Sequence, residues 1–211
     1  MFYFDEFGGN KVLKSDFIKE AEAFFTLRNS HEPNFGVTPQ QTHSDHIEFV
    51  DERKEYPDTD GLILTKPNQA CYLRFADCTP LIFYNPKTKI GAVSHAGWRG
   101  TAQKIGVKTV EKMGGEPKDI IAVIGPAIGL CCYEVSEDVR AKLLETVKDT
   151  TNLTKGRNID LKSVNARQLN EIGVEKIDIC PYCTGCNNDL FYSYRKENGT
   201  KDRHFAILIL P

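Results

Sequence analysis

The sequence predicts a mixed α/β fold in a single domain. Short strand-like runs precede and then alternate with segments of helical hydrophobic spacing. The 211-residue chain has no internal repeat, low-complexity tract or Pro/Ser-rich linker, so we expect one domain over residues 1–211. A domain of this length buries roughly 70% of the surface of its unfolded chain, so its core needs no covalent support.

In the first half of the chain, the patterns predict one helix and five strands. Phe17, Ala21, Phe24 and Phe25 follow helical spacing, which predicts a helix over residues 16–27. The strand-like runs that follow are bounded by turn residues such as Asn and Pro. These runs are His46–Val50, Gly61–Thr65, Ala70–Phe75, Leu81–Tyr84 and Ile90–Ser94.

In the second half, three helices alternate with strands. Thr101, Ser136 and Asp160 each precede apolar residues at helical spacing and are predicted to be N-caps. Gly114 and Gly173 are predicted to follow the ends of the first and third helices. The strand-like runs between and after them are Asp119–Ile124, Glu175–Ile179 and His204–Leu210.

The composition excludes several classes of protein. Hydrophobic residues make up 40% of the chain and charged residues 27%, which argues against disorder. The net charge of −2 gives no electrostatic indication of a nucleic-acid partner or of an acidic membrane surface. No apolar run approaches the roughly 20 residues that span a bilayer. We therefore expect neither nucleic acid nor a membrane as a partner.

Cysteine usage and the first residues indicate a reducing compartment. Seven Cys is an odd number in a chain of this length, which argues against a disulfide framework. The segment Met1–Glu6 contains acidic residues and no basic ones, unlike a targeting segment. We therefore expect a soluble, cytoplasmic protein.

Three residues at the edges of strand-like runs form a candidate catalytic metal site: His43, Cys78 and His95. Two imidazoles and one thiolate suit Zn²⁺, and three protein ligands leave a fourth position for water or substrate. Two alternatives stay open. In the first, His43 and His95 would be ordinary polar residues and Cys78 would be a small hydrophobic residue in the core. In the second, Cys78 and His95 would be the nucleophile and the base of a metal-free amidase.

The segment after His95 predicts an anion site. Gly97 and Gly100 allow close approach of the backbone to a ligand, and Thr101 is expected to begin a helix whose N–H groups favour an anion. Arg99 adds a guanidinium that matches phosphate oxygens. The alternative is a glycine-rich turn with a solvent-exposed arginine.

Six stretches together resemble the YfiH-like laccase-domain family. The resemblance covers roughly residues 37–210, and the stretches occur in the order typical of the family. The first 36 residues are poorly matched. The six stretches are QTHSD, ADCTP, HAGWRGT, GPAIGLCCYEV, LKSVNARQLNEIGV and CTGCNNDLFYSYR.

This resemblance implies an α/β domain with a β-sandwich-like core flanked by helices. It implies that His43, Cys78 and His95 hold zinc, which copper or another transition metal can replace. It also implies phosphorolysis of adenosine, inosine or methylthioadenosine, with adenosine deamination beside it, so the expected partners are a nucleoside and phosphate. Peptidoglycan editing and an older polyphenol oxidase label belong to the same family.

The histidine count argues against the polyphenol oxidase label. A blue-copper site takes two His and one Cys, and an oxygen-reducing copper cluster takes many more imidazoles. The five His of this chain cannot supply both kinds of site. A zinc-dependent phosphorylase agrees better with the ligands available.

Several further residues are assigned roles around this site. Asp45 and Asp77 are expected to orient the imidazoles or to act as an acid/base group in deamination. Cys132 and Tyr133 are expected to line a substrate pocket. The resemblance implies that Arg195, on a predicted strand beginning at Tyr192, contacts phosphate or ribose. The family often has a second Arg after this one, and this chain departs from that pattern because Lys196 stands in its place.

The remaining cysteines carry no assigned chemistry. Cys180, Cys183 and Cys186 form a C-x₂-C-x₂-C pattern that lacks a fourth ligand at matching spacing. We interpret Cys180 and Cys186 as incidental, with a redox or second zinc site as the alternative, and Cys71 and Cys131 as packing residues. A non-enzymatic scaffold has no positive signal in the sequence.

Overall fold

Two β-sheets packed face to face form the frame of the computed structural model, which describes residues 1–53 and 55–211. The first sheet is antiparallel throughout. Its strands, in spatial order, are β1 (Phe2–Phe7), β2 (Asn10–Ser15), β3 (Glu22–Thr26), β13 (His204–Ile209) and β6 (Ala70–Phe75).

The second sheet is antiparallel in its centre and parallel at both edges. A small hairpin lies outside both sheets and consists of β10 (Thr154–Lys155) and β11 (Asn158–Ile159). The strands of the second sheet, in spatial order, are β12 (Lys176–Ile179), β9 (Ile121–Ile124), β7 (Thr79–Asn85), β8 (Ile90–Ala96), β5 (Gly61–Leu64) and β4 (Ile47–Phe49).

Strand alternation places one face of each sheet in a shared core. On β13, Ala206 and Leu208 point into the core between the sheets, whereas Phe205 and Ile207 pack on the outer face of the first sheet. The chain packs tightly against the first sheet just after β9, where a Cβ on Gly125 would lie 2.2 Å from the ring of Phe25. Only glycine allows this contact.

Helices cover the other face of the second sheet. The described chain has four: α1 (Trp98–Ala102), α2 (Ile105–Met113), α3 (Glu137–Leu144) and α4 (Leu161–Glu171). Apolar residues of α2 and α4 pack on this sheet in a second buried cluster. None of the described helices combines the length and apolar character that crossing a membrane requires.

Most predicted elements are confirmed, with boundaries shifted by a few residues. Ala70–Phe75 is a strand over the predicted range. Asp160 caps α4, since its carboxylate accepts a hydrogen bond from the Ser163 amide at 3.2 Å. The mixed α/β class and the sandwich core flanked by helices are also confirmed. The β1–β2 hairpin was not predicted.

Three local predictions are wrong. Residues 16–27 contain strand β3, because Phe24 and Phe25 point to opposite faces of a sheet and so follow a period of two. Thr101 was expected to be an N-cap but lies inside α1. The single predicted helix is interrupted at Lys104, whose φ of 59° is left-handed, and α2 begins after it. The segment from Tyr192 to Arg195 is a loop that leads into a turn, and the backbone amides of Ser193 and Arg195 donate to the carboxylates of Glu197 and Asp77 instead of to a neighbouring strand.

A histidine is buried at the start of β13. His204 is fully buried, with its ring 5.4 Å from that of Phe191 and 6.4 Å from that of Phe75, measured between centroids. Burial lowers its pKa to about 3, because desolvation penalises the charged imidazolium. The folded protein therefore holds this ring neutral.

Replacing His204 by Leu should make folding stability less sensitive to acid. Below the ordinary histidine pKa of 6.5, the unfolded chain binds a proton that the folded chain excludes. The stability associated with the neutral ring is thus present above pH 6.5 and is lost as pH falls from 6.5 towards 3, by at most about 1.4 kcal/mol per pH unit.

Urea unfolding of wild type and variant at about pH 7.5 and about pH 5 measures this difference. We expect the midpoint of His204→Leu to fall less on acidification than that of wild type. His31→Leu, at an exposed histidine, is the control and should follow wild type. Parallel decline of all three proteins would contradict the assignment.

Candidate functional site

The three predicted ligands come together at one end of the sandwich. His43 lies in the loop before β4, Cys78 in the turn between β6 and β7, and His95 on β8. One ligand atom from each residue lies within 4.8 Å of the others. The rings of His43 and His95 stand nearly perpendicular, with centroids 4.8 Å apart. This His–Cys–His group could hold a metal ion.

A buried carboxylate, Asp60, organises two of the three ligands. Its Oδ1 lies 2.7 Å from Nδ1 of His95, which leaves Nε2 as the ring nitrogen available to a metal. The same carboxylate accepts hydrogen bonds from the backbone amides of Thr42, His43 and Ser44 at 3.1, 3.2 and 2.7 Å. These bonds hold the His43 loop, in which His43 itself has a positive φ of 63°.

Charge interactions link Asp60, His95 and Cys78. Burial disfavours the charged form of each residue, but the attraction between neighbouring opposite charges and the hydrogen bonds to them outweigh this desolvation. His95 and the backbone donors lower the pKa of Asp60 to about 2, and Cys78 and Asp60 raise the pKa of His95 to about 9. His95 and His43 in turn lower the pKa of Cys78 to about 6. A thiolate, an excellent ligand for a borderline-soft cation, is therefore favoured at Cys78.

The close packing around this trio favours glycine at position 97. A Cβ at this position would lie 3.0 Å from Sγ of Cys78 and 3.2 Å from Cδ2 of His43. Gly100 has a related role, since its Cβ would lie 3.2 Å from the carbonyl oxygen of His95. Both glycines thus bring the backbone close to the ligand residues themselves.

The trio opens into a cleft of about 660 Å³, a size typical of small-molecule sites. Tyr133 and Arg195, both predicted substrate contacts, line it, and Asp77 lies in its wall. The guanidinium of Arg195 lies over the Tyr133 ring at 5.4 Å. Burial raises the pKa of Tyr133 to about 12, so its hydroxyl stays protonated at neutral pH.

Other predicted residues lie away from the cleft lining. Arg99 is exposed and stacks on Trp98 at 4.6 Å. Thr101 is fully buried and accepts a hydrogen bond from the Asn165 amide at 3.0 Å. Cys132 belongs to a separate group of cysteines.

The two predicted orienting carboxylates have different partners. Asp45 forms a salt bridge with Lys108. Asp77 accepts hydrogen bonds from the Thr184 hydroxyl at 2.6 Å and the Arg195 amide at 2.7 Å. Within the described part of the chain, neither carboxylate hydrogen-bonds an imidazole of the trio. The carboxylate that hydrogen-bonds to Nδ1 of His95 is that of Asp60.

Sequence reasoning missed Asp60, Arg74 and Arg203. Asp60 directly precedes strand β5, and an acid at the edge of a strand was a usable signal. Arg74 and Arg203 line the cleft, but they come from β6 and from the segment before β13. No local motif joins them to the trio.

The fold and site define a class of α/β sandwich proteins with a His–Cys–His group at a cleft. A family model described as multi-copper polyphenol oxidoreductase laccase matches residues 17–211. The chain belongs to this family. The match begins earlier in the chain than the resemblance of residues 37–210 and leaves out the β1–β2 hairpin.

Three proteins similar to this chain come from two Bacillus species and from Geobacillus stearothermophilus. Purine nucleoside phosphorylase YlmD of Bacillus subtilis (strain 168) is 34% identical over 215 aligned residues, covering 92% of this chain and 77% of its own. The crystal structure of Bacillus licheniformis hypothetical protein YfiH has a TM-score of 0.86 at 30% identity, covering 95% of this chain and 96% of its own. YlmD from Geobacillus stearothermophilus has the same TM-score at 26% identity, with 98% of both chains covered.

The described residues offer few ligands for the copper that the family description names. Within residues 1–53 and 55–211, the groups able to hold a metal are the His–Cys–His trio and a group of four cysteines. His204 is buried among aromatic rings, and His46 is exposed and pairs with Glu48. These residues do not supply the imidazoles of an oxygen-reducing copper cluster.

Replacing Asp60 by Asn should weaken metal binding by roughly 10–100-fold, the usual effect of losing an orienting partner. The side-chain amide of the variant keeps one oxygen acceptor for His95, but its NH₂ group then faces the backbone N–H groups of Thr42 and Ser44. Two sets of donors face each other there, so the hydrogen bonds that hold the His43 loop are lost. Competition with a chromophoric chelator measures the zinc affinity. Asp45→Asn is the matched control, and its affinity should equal that of wild type. Equal affinities in both variants would refute the role of Asp60.

Proposed function

We propose that this protein is a zinc-dependent purine nucleoside phosphorylase. The observation that carries the proposal is a single cleft that contains the His–Cys–His trio together with two arginines, Arg195 and Arg203. The names of the similar curated proteins support the same reaction class. Phosphate and a nucleoside would be the partners of this site.

The donor set fits zinc. His43, Cys78 and His95 would hold the ion, as two imidazoles and one thiolate with a fourth position open to the cleft. When bound, the ion supplies a positive charge that neutralises and orients an anionic reactant. Asp60 keeps His95 in the tautomer that presents Nε2.

Two arginines are suited to hold phosphate. Arg195 donates to the Glu134 carbonyl at 2.9 Å, and Arg203 donates to the carbonyls of Thr200 and Asp202 at 2.7 Å. Across the described residues, neither guanidinium forms a salt bridge with a carboxylate, whereas that of Arg74 pairs with Glu32. The charge of Arg195 and Arg203 is therefore available to an anion in the cleft.

Phosphorolysis then needs a leaving purine that accepts a proton. A phosphate oxygen forms the new bond to C1′ of the ribose as the bond from C1′ to the purine nitrogen breaks, and the proton of hydrogen phosphate ends on the purine. Tyr133, protonated at neutral pH, can donate a hydrogen bond to the base as negative charge develops on it. Tyr194 offers an exposed ring in the same lining for stacking.

Product analysis by chromatography tests the reaction class. With adenosine and phosphate, we expect adenine and ribose 1-phosphate, and we expect no turnover when phosphate is left out. Inosine without any need for phosphate would indicate deamination as the main activity. Absence of both products would contradict the proposal and favour an amidase or a cell-wall substrate.

Replacing His43 or Cys78 by Ala should remove the zinc ion held by the His–Cys–His trio and abolish adenine release, because each change removes one of its three ligands. Metal content by mass spectrometry and adenine by chromatography are measured on the same preparation. Cys71→Ala, at a buried cysteine of the core between the sheets, should keep both zinc and activity. Unchanged turnover in His43→Ala or Cys78→Ala would overturn the site assignment.

Replacing Arg203 by Ala should raise the KM for phosphate by roughly tenfold or more, since one charge-assisted contact contributes about 1.5–3 kcal/mol. The KM for adenosine should change much less. Arg53→Ala, an exposed arginine paired with Asp51 and Glu48, serves as the control and should leave both constants unchanged. An equal rise in both KM values would argue for a general disturbance of the cleft.

A metal-free amidase or hydrolase is the second candidate. Sγ of Cys78 lies within 4.8 Å of a ring nitrogen of each imidazole, a geometry that suits a thiol nucleophile with a histidine base. Protein purified without stoichiometric zinc that hydrolyses amides, and loses this activity when Cys78 is alkylated, would favour this function. Zinc that is lost from His43→Ala, together with phosphate-dependent turnover, would exclude it.

A further inference from the structure

A second candidate metal site consists of four cysteines, of which Cys131 and Cys186 are exposed and Cys183 is buried. Sγ of Cys186 is 3.3 Å from Sγ of Cys131 and 3.5 Å from Sγ of Cys132. With Cys183, the four sulfurs all lie within 4.8 Å of one another. Cys180, the first member of the C-x₂-C-x₂-C pattern, is buried and does not belong to this group.

These separations are typical of four thiolates around one cation. A tetrahedral zinc site with bonds of about 2.3 Å places its sulfurs about 3.8 Å apart. A disulfide would require about 2.05 Å between two sulfurs. Four mutually close thiols therefore match a shared ion better than two separate cross-links.

The ligands come from two loops that meet through their backbones. The Thr184 amide donates to the Ala127 carbonyl at 3.1 Å, and the Gly129 amide donates to Sγ of Cys183 at 3.2 Å. N–H donors to a ligating sulfur are a common feature of metal–thiolate sites. Cys183 and Cys186 of the C-x₂-C-x₂-C pattern thus supply two of the four sulfurs, and Cys131 and Cys132, from a loop earlier in the chain, supply the other two.

Two glycines allow the cysteine loops to pack this closely. A Cβ on Gly129 would lie 3.5 Å from the sulfurs of Cys131 and Cys183 and 3.3 Å from Cβ of Cys183. A Cβ on Gly185 would lie 3.2 Å from both Cβ and Sγ of Cys132. A side chain at Gly185 would crowd Cys132 and require its atoms to shift.

We propose that Cys131, Cys132, Cys183 and Cys186 bind a structural zinc ion, separate from the His–Cys–His site. Four protein thiolates close the coordination sphere, so this ion has no open position for substrate. Each thiol gives up its proton to solvent when it binds the metal, and no electron is transferred. The site is distinct from the proposed phosphorylase centre, and its existence does not depend on that function.

The proposed ion would join two loops that both reach the cleft. Tyr133 directly follows Cys132, and Thr184 directly follows Cys183. Tyr133 lines the cleft, and Thr184 donates to Asp77 in the cleft wall. Zinc between the two loops would therefore hold two walls of the cleft in register.

Metal content tests the proposal directly. Protein purified under reducing conditions with zinc should contain about two zinc ions per chain, and Cys131→Ala/Cys186→Ala should contain about one. Both cysteines are exposed, so the double variant should keep its fold, as circular dichroism will verify. Cys180→Ala is the matched control from the same sequence pattern and should retain both ions.

Cobalt loading separates this site from the other one. In a His43→Ala/Cys78→Ala background, bound Co²⁺ should give the intense visible and near-ultraviolet bands of tetrahedral sulfur ligation. Adding Cys131→Ala/Cys186→Ala should remove these bands. This result would stand even if the protein had no activity on nucleosides.

Two results would overturn the proposal. One is an equal zinc content in wild type and Cys131→Ala/Cys186→Ala, together with absence of the cobalt bands. The other is a mass under denaturing, non-reducing conditions that is lower by the hydrogens of one or two disulfides, with a peptide map that joins these cysteines.

Discussion

The buried carboxylate of Asp60 is the constraint on which the rest of the site depends. Its side chain is fully buried, a placement that is costly unless the charge is matched by donors. It finds them in His95 and in three consecutive backbone amides of the His43 loop. One residue therefore sets the tautomer of a β-strand histidine and the path of a loop from elsewhere in the chain.

This arrangement also determines the charge of the trio. Asp60 favours a protonated His95, and the two imidazoles favour a thiolate at Cys78. A cation that replaces the protons would find a thiolate and two imidazoles already assembled. The same electrostatics would suit a cysteine nucleophile, which is why metal content and reaction products must be measured together to distinguish the two functions.

The seven cysteines divide into groups with different environments. Cys78 belongs to the centre at the cleft, four cysteines form the second candidate metal site, and Cys71 and Cys180 are buried in the core. Burial of an isolated thiol raises its pKa, as it does for Cys180 to about 12, and such residues are inert packing groups. Clustering, and not the sequence pattern alone, separates a candidate ligand from a packing residue here.

The sequence by itself determined the element types of the second sheet, the cap of α4 and the identity of the three candidate ligands, because each depends on local spacing or on distinctive residue types. Asp60, Arg74 and Arg203, and the pairing of Cys131 and Cys132 with Cys183 and Cys186, were decided only by the tertiary structure. These contacts join residues far apart in the chain, and periodicity carries no information about which loops meet. Phe24 and Phe25 illustrate the same limit, since their spacing is compatible with a helix, and only the presence of two sheets to pack against makes the segment a strand.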